Sequence, residues 1–128
     1  MVFYQLDHVV LTVTDIEATC RFYSQVLQIS VITFDEERKA LQLGHQKINL
    51  HPAPAPIRPH AQHPQPGSAD LCLITERPLT TVIDELQAHQ VPILMGPVER
   101  TGAQSKLLSI YIRDPDGNLI ELANVIPG

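Results

Sequence analysis

The 128-residue sequence contains no tryptophan, only three tyrosines and three phenylalanines. So little aromatic area argues against a groove that binds a large planar ligand by stacking. The sequence also has no apolar run of about 18 residues, so no membrane-spanning helix is expected. Its first residues lack a basic segment followed by an apolar stretch, and we therefore expect no signal peptide.

Positive charge is scarce as well. Nine lysines and arginines stand against 14 aspartates and glutamates, which gives a net charge of −5. The basic residues are scattered, so neither nucleic acid nor an anionic membrane is an expected partner. The two cysteines, Cys20 and Cys72, lie in apolar segments and are predicted to be reduced and buried. Together these features favour a cytoplasmic protein.

The sequence does contain an order of elements that occurs twice. Apolar periodicity in each half predicts a strand, a helix and three further strands. The first half has predicted strands at 6–13, 30–34, 39–43 and 47–51, and a helix of about 14 residues capped by Thr14 or Asp15. The second half has predicted strands at 69–74, from 91 to a break at Gly96-Pro97, 106–113 and 119–125, and a helix at 79–90.

A proline-rich segment separates the two halves. Because proline disfavours helices and central strands, residues 52–68 are predicted to form an extended crossover. The first module then spans about residues 4–51 and the second about 69–126. The predicted fold is α+β: residues 1–128 form a single domain, in which two βαβββ modules build a cupped mixed sheet with the helices on its outer face.

Alignment of the halves singles out polar residues inside apolar strands. His8 and Asp70 lie in the first strand of each module, and Asn49 and Glu121 lie in the last. Strand alternation turns these side chains away from the helices, as it does for His51, so they converge if the sheet is cupped. A buried carboxylate is costly unless it is paired or binds a metal.

Two carboxylates and an imidazole form a reasonable ligand set for a divalent cation. With no thiolate in the set, Mn, Fe, Co, Ni or Zn is favoured. Other interpretations of the same residues remain open: His8 as a core histidine, Asp70 as a turn cap and Glu121 as the ion-pair partner of Arg113.

Three further polar residues have two interpretations each. Asn49 either contacts the substrate or hydrogen-bonds beside the site, and His51 is either a ligand or the end of a strand. Arg100 lies next to Thr101-Gly102 in a predicted loop, where it binds a substrate carboxylate or phosphate, or is simply solvated. His60 and His63 in the crossover are predicted to be solvated.

Three motifs resemble the glyoxalase, bleomycin-resistance and dioxygenase superfamily, also called vicinal oxygen chelate proteins. They are DHVVL at residues 7–11, FYSQVL at 22–27 and, the most specific, DPDGNLIEL at 114–122. The segments at 49–51, 66–68 and 96–103 resemble a small single-domain glyoxalase-like subgroup, some members of which are labelled virulence proteins.

The resemblance implies a homodimer with metal ligands at His8, Asp70 and Glu121 and a fourth position at Asn49. Glyoxalase I, fosfomycin-resistance enzymes and extradiol dioxygenases usually carry histidine where Asp70 stands. Asn49 is a weak neutral ligand, and His51 could supply a nitrogen instead.

The implied function is that of a metal-dependent lyase or isomerase. Its small substrate would chelate the metal through two oxygens while Glu121 moves a proton. A metal-free binding protein of the bleomycin-resistance type is the first alternative. A non-haem iron dioxygenase, which would need His51, is the second.

Overall fold

A computed structural model describes residues 2–128, which divide into two compact units, residues 2–67 and 68–128. Each unit contains one strand, one helix and three more strands, which confirms the predicted pair of βαβββ modules. The strands form two four-stranded mixed sheets. The strands are β1 His8–Val13, β2 Ser30–Phe34, β3 Arg38–Leu43, β4 Gln46–Pro52, β5 Asp70–Ile74, β6 Met95–Thr101, β7 Lys106–Arg113 and β8 Leu119–Val125.

In the first unit the strand order is β1-β4-β3-β2, with β1 parallel to β4 and the other pairs antiparallel. Leu11, Val13, Ile48 and Leu50 are buried on the face that packs against the helix. The residues that alternate with them lie on the opposite face, which we call the open face of the first sheet.

The helix of the first unit is α1, Ile16–Arg21, and Asp15 caps it by accepting a hydrogen bond from Ala18 N at 3.1 Å. The predicted 14-residue α-helix is wrong in its second part, because a π-helical turn follows at Phe22–Val26. The Ser24 hydroxyl donates to Cys20 O at 2.7 Å within this region. Gln28 has a φ of 57° and ends the helix in the left-handed conformation, at a position where glycine is common.

The second unit repeats the strand order as β5-β8-β7-β6. Its helix is α2, Leu79–Ala88, with Leu79 and Leu86 buried. Pro78 offers no capping side chain; instead Asn124 of β8 accepts from Leu79 N at 2.8 Å. The same amide donates to the carbonyls of Thr75 and Arg77, so one side chain joins β8 to the start of α2.

The prediction for β6 is wrong. Residues 91–94 are not a strand, and Gly96-Pro97, predicted as a break, lies inside Met95–Thr101. Proline is tolerated here because β6 is the edge strand of its sheet and its register shifts between Met95 and Val98.

The DPDGN motif forms a turn that ties two strands together. Asp114 Oδ1 accepts from the backbone N–H groups of Asp116 and Asn118, and its Oδ2 accepts from Asn118 Nδ2 at 2.9 Å. Asn118 Oδ1 in turn accepts from Ala69 N at 2.9 Å. Since Ala69 directly precedes β5 and Asn118 directly precedes β8, the motif fixes the register of these two strands.

Residues 53–69 contain no helix and no strand, so the crossover lies one residue beyond the predicted 52–68: Pro52 ends β4, and Ala69, predicted in the next strand, precedes β5. Within residues 2–128, neither helix is long and apolar enough to cross a membrane.

Candidate functional site

The open face of the second sheet carries the two predicted carboxylates. Ile120 and Leu122 are buried on the helix side, so Glu121 points to the other face, beside Cys72 of β5 and Tyr111 of β7. Asp70 lies two residues before Cys72 and shares its face. Asp70 and Glu121 are therefore diagonal neighbours on adjacent strands.

Glu121 is held by neutral donors. Its Oε2 accepts from the Ser109 hydroxyl at 2.6 Å, and the Cys72 thiol also hydrogen-bonds to this carboxylate. Among residues 2–128, no lysine, arginine or histidine forms an ion pair with Glu121 or Asp70. Arg113, the alternative partner, donates to Gly117 O instead. Glu121 is therefore a partly buried carboxylate whose orientation is fixed by hydrogen bonds, but whose negative charge is not balanced by a cationic side chain of residues 2–128.

Cys72 was predicted to be buried, and this is wrong: it is exposed, because it lies on the open face of an edge strand. Desolvation, followed by the charge and hydrogen bond of Glu121, raises the pKa of its thiol to about 11. Cys20 is half-buried, and burial raises the pKa of its thiol too.

This raised pKa predicts that Cys72 is slow to alkylate. In a Cys20→Ser background at pH 8, its rate with iodoacetamide should be about a hundredfold below that of a thiol with a pKa of 9.0. Glu121→Gln removes the negative charge, lowers the thiol pKa and should accelerate the reaction severalfold. Glu99→Gln, an exposed change on β6, is the control. Equal rates in all three proteins would contradict the Glu121–Cys72 interaction.

Arg100 was predicted in a loop, but it belongs to β6. Its Nε donates to the Tyr111 hydroxyl at 2.8 Å, and its guanidinium lies 5.5 Å from the centre of the Tyr111 ring. Its Nη1 donates to Glu99 O. Tyr111 of β7 is the cross-strand partner of Glu121, and β7 separates Arg100 on β6 from Glu121 on β8. Its role in substrate binding stays a prediction.

On the first sheet, His8 lies on the open face of β1 with its side chain 43% exposed. Its Nδ1 is 2.8 Å from Asp7 Oδ2, which leaves Nε2 available. His51 pairs with Thr12, four positions further along β1 than His8. At 3.3 Å per residue the two imidazoles sit about 13 Å apart along the strands, so they are not neighbours.

His51 and Asn49 are buried, with 3% and 5% of their surfaces exposed. Arg38 Nη2 donates to His51 Nε2 at 3.3 Å, so the Nδ1 of the neutral ring carries the proton. Burial, then the charges of Arg38 and His60, lowers the pKa of His51. Within the described part of the chain, His51 Nδ1 and Asn49 Oδ1 are buried without a hydrogen-bond partner.

A pocket of about 420 Å³ opens beside His51. Its lining comes from β1, β4 and the crossover, namely Val10, Thr12, His51, Pro59, His60 and Ala61. His60 and His63 are exposed, as predicted, but His60 also forms part of this lining.

The structure does not gather the predicted metal ligands into one cluster. No group of three or more His, Cys, Asp or Glu side chains among residues 2–128 is arranged to hold a metal ion. His8 and His51 belong to the first unit, and Asp70 and Glu121 to the second. The four-residue ligand set stays a prediction.

Sequence reasoning missed Ser109, Tyr111 and Arg38. A signal for Ser109 was present, since it is a small polar residue inside the apolar run of β7. Arg38 had none, because it begins its strand after charged turn residues.

The paired βαβββ modules, with polar residues at corresponding positions of their first and last strands, are typical of one superfamily. A family model described as the Glyoxalase/Bleomycin resistance protein/Dioxygenase superfamily matches residues 5–122, and the chain belongs to this superfamily.

Among its relatives, the chain is similar to virulence protein STM3117 of Salmonella typhimurium, with 52% identity over 98% of this chain and 88% of the relative. The crystal structure of that protein covers 98% of this chain and 100% of its own, with a TM-score of 0.94. The glyoxalase domain-containing protein RDO1 of Mycosarcoma maydis is 48% identical over 93% of this chain and 67% of its own length.

A more distant structure, lactoylglutathione lyase from Agrobacterium tumefaciens, is 20% identical, with a TM-score of 0.70 over 94% of this chain and 92% of its own. That likeness shows the fold alone.

Proposed function

We propose that the chain is a divalent-metal-dependent enzyme of the glyoxalase type, which performs lyase or isomerase chemistry on a small substrate that chelates the metal through two oxygens. One observation carries the proposal. Glu121 is oriented by Ser109 and Cys72, has Asp70 diagonally beside it, and lacks a cationic partner among residues 2–128. A carboxylate left in this state is suited to bind a cation or to move a proton.

The chemical types of the donors suit such an ion. Carboxylate oxygens from Asp70 and Glu121 and the available Nε2 of His8 are suitable for Mn, Fe, Co, Ni or Zn. We propose that these three residues hold the metal, which would supply Lewis acidity when bound. His51 is left out because its Nε2 lone pair already accepts a hydrogen bond from Arg38.

The chain's own residues would then bind and orient the substrate. Glu121 would move a proton at the reacting carbon, while the Ser109 hydroxyl keeps its carboxylate in one orientation. Arg100, fixed on the Tyr111 ring, and Asn49, whose Oδ1 is unpartnered among residues 2–128, would contact polar groups of the substrate.

Metal content tests this proposal. Protein stripped with a chelator, reloaded separately with each of the five metals and desalted should retain near-stoichiometric metal by elemental analysis. Asp70→Ala and Glu121→Gln should lose most of it, because each removes an anionic ligand. Glu99→Gln, an exposed glutamate of the same sheet, should retain it.

Retention of metal by both site variants would refute the ligand assignment. Absence of metal from every sample would favour the metal-free binding protein instead. The dioxygenase alternative needs His51 as a ligand, and the Arg38 contact argues against it. We also propose that the protein forms a homodimer and is located in the cytoplasm.

A further inference from the structure

The pocket of the first unit is lined by a histidine that has an unpartnered donor. His51 Nδ1–H is buried without a hydrogen-bond partner within residues 2–128, and the ring itself lines the pocket. A buried N–H group left without an acceptor destabilises the folded protein. Because the ring lines the pocket, we take the missing partner to be an acceptor atom of a ligand bound there.

A second donor faces the same space. Thr12 lies opposite His51 in the strand register and lines the pocket. Its hydroxyl makes no hydrogen bond to any other described residue, whereas the Thr33 and Thr101 hydroxyls each accept one from a lysine. Two free donors on neighbouring strands are suited to one ligand group with two acceptor lone pairs or two oxygens.

The charge around these donors is positive. Arg38 contacts His51 directly, and its own Nε is buried without a partner in the described chain. Its nearest carboxylate, Asp35, is 4.0 Å away and 74% exposed, so solvent screens that ion pair. The strand register places Lys47 on this face as well, and no aspartate or glutamate of the four strands shares the face.

We propose that this pocket binds an anionic oxygen group of the substrate, a carboxylate or a phosphoryl group, through His51 Nδ1–H and the Thr12 hydroxyl, with Arg38 supplying the positive charge behind them. This inference rests on the proposed function, because it names the substrate class for the same protein. The volume of about 420 Å³ lies in the range of small-molecule sites.

The test uses metal-stripped protein labelled with ¹⁵N in its histidines. Acetate and inorganic phosphate are titrated separately while the His51 Nδ1 signal is followed by NMR. At least one anion should shift this signal saturably, and the one that does distinguishes a carboxylate from a phosphoryl site. Arg38→Gln keeps a donor for His51 Nε2 but removes the charge, and Thr12→Val removes only the hydroxyl. Each should raise the Kd about tenfold or more.

Arg21→Gln is the matched control, because it removes the same charge from an exposed position of α1 and should leave the Kd unchanged. The proposal is overturned if neither anion shifts His51, if all three variants weaken binding alike, or if anions bind only to metal-loaded protein. It is also overturned if added metal alone moves the Nδ1 signal, since His51 would then be a ligand. If anions bind but the protein retains no metal, the proposed function is refuted and the anion subsite is supported. If the protein retains metal but no anion binds, the subsite is refuted and the proposed function is supported.

Discussion

Asn118→Ala is expected to lower the free energy of unfolding by about 3 kcal/mol, because a fully buried side-chain amide with two hydrogen bonds disappears. Asn118 is 1% exposed. Its side chain accepts from Ala69 N and donates to Asp114 Oδ2, both at 2.9 Å. Alanine would leave the Ala69 N–H without its acceptor and take a donor from a buried carboxylate. Urea denaturation followed by circular dichroism measures the change.

Asp84→Ala is the control for this experiment, since Asp84 is an exposed residue of α2 and its replacement should change stability by no more than about 0.5 kcal/mol. If Asn118→Ala were equally mild, the turn would not fix the register of β5 and β8. The functional consequence follows from geometry. Asp70 and Glu121 lie one and three residues beyond the two ends joined by this amide, so a loosened turn should also reduce metal retention.

The sequence predicted well wherever a local pattern determines the outcome. Alternation placed Glu121 opposite Ile120 and Leu122, and the structure agrees, because one face of a central strand must be buried. The resemblance carried by DPDGN identified the superfamily for a related reason. Asp114 and Asn118 form a local hydrogen-bonded turn, and such a turn demands particular residues at particular spacings.

Predictions that depended on tertiary context were less successful. Gly96-Pro97 reads as a break in any local pattern, but an edge strand with a shifted register accommodates it. Cys72 lies in an apolar run, yet the open face of an edge strand exposes it. The contact between Arg38 and His51 joins residues 13 positions apart across β3 and β4, and neither residue predicts the other from sequence.

Among additions of a single methyl group in the second unit, Gly96→Ala is expected to be the most destabilising, and it should lower the free energy of unfolding by about 3 kcal/mol or more. A Cβ at this position would lie 2.4 Å from Ser109 O and 2.9 Å from Ile110 Cα, and both are backbone atoms that cannot turn aside. The φ of 109° is also one that L residues rarely adopt. Gly44→Ala is the matched control. Its φ is 56°, but no atom lies within 4 Å of the added carbon, so only the conformational cost of about 1 kcal/mol should appear.

The comparison between these two glycines tests how rigidly the carboxylate face is built. To relieve the clash, β6 must move away from Ser109, the residue whose hydroxyl holds Glu121. Gly96→Ala should therefore change the alkylation rate of Cys72, which senses the Glu121 carboxylate, whereas Gly44→Ala should leave that rate unchanged. If the two substitutions lower the free energy of unfolding equally and neither changes the alkylation rate of Cys72, then β6 can move without disturbing its neighbours. Ser109 would then hold Glu121 without support from β6, and the close approach at Gly96 would have no bearing on the site.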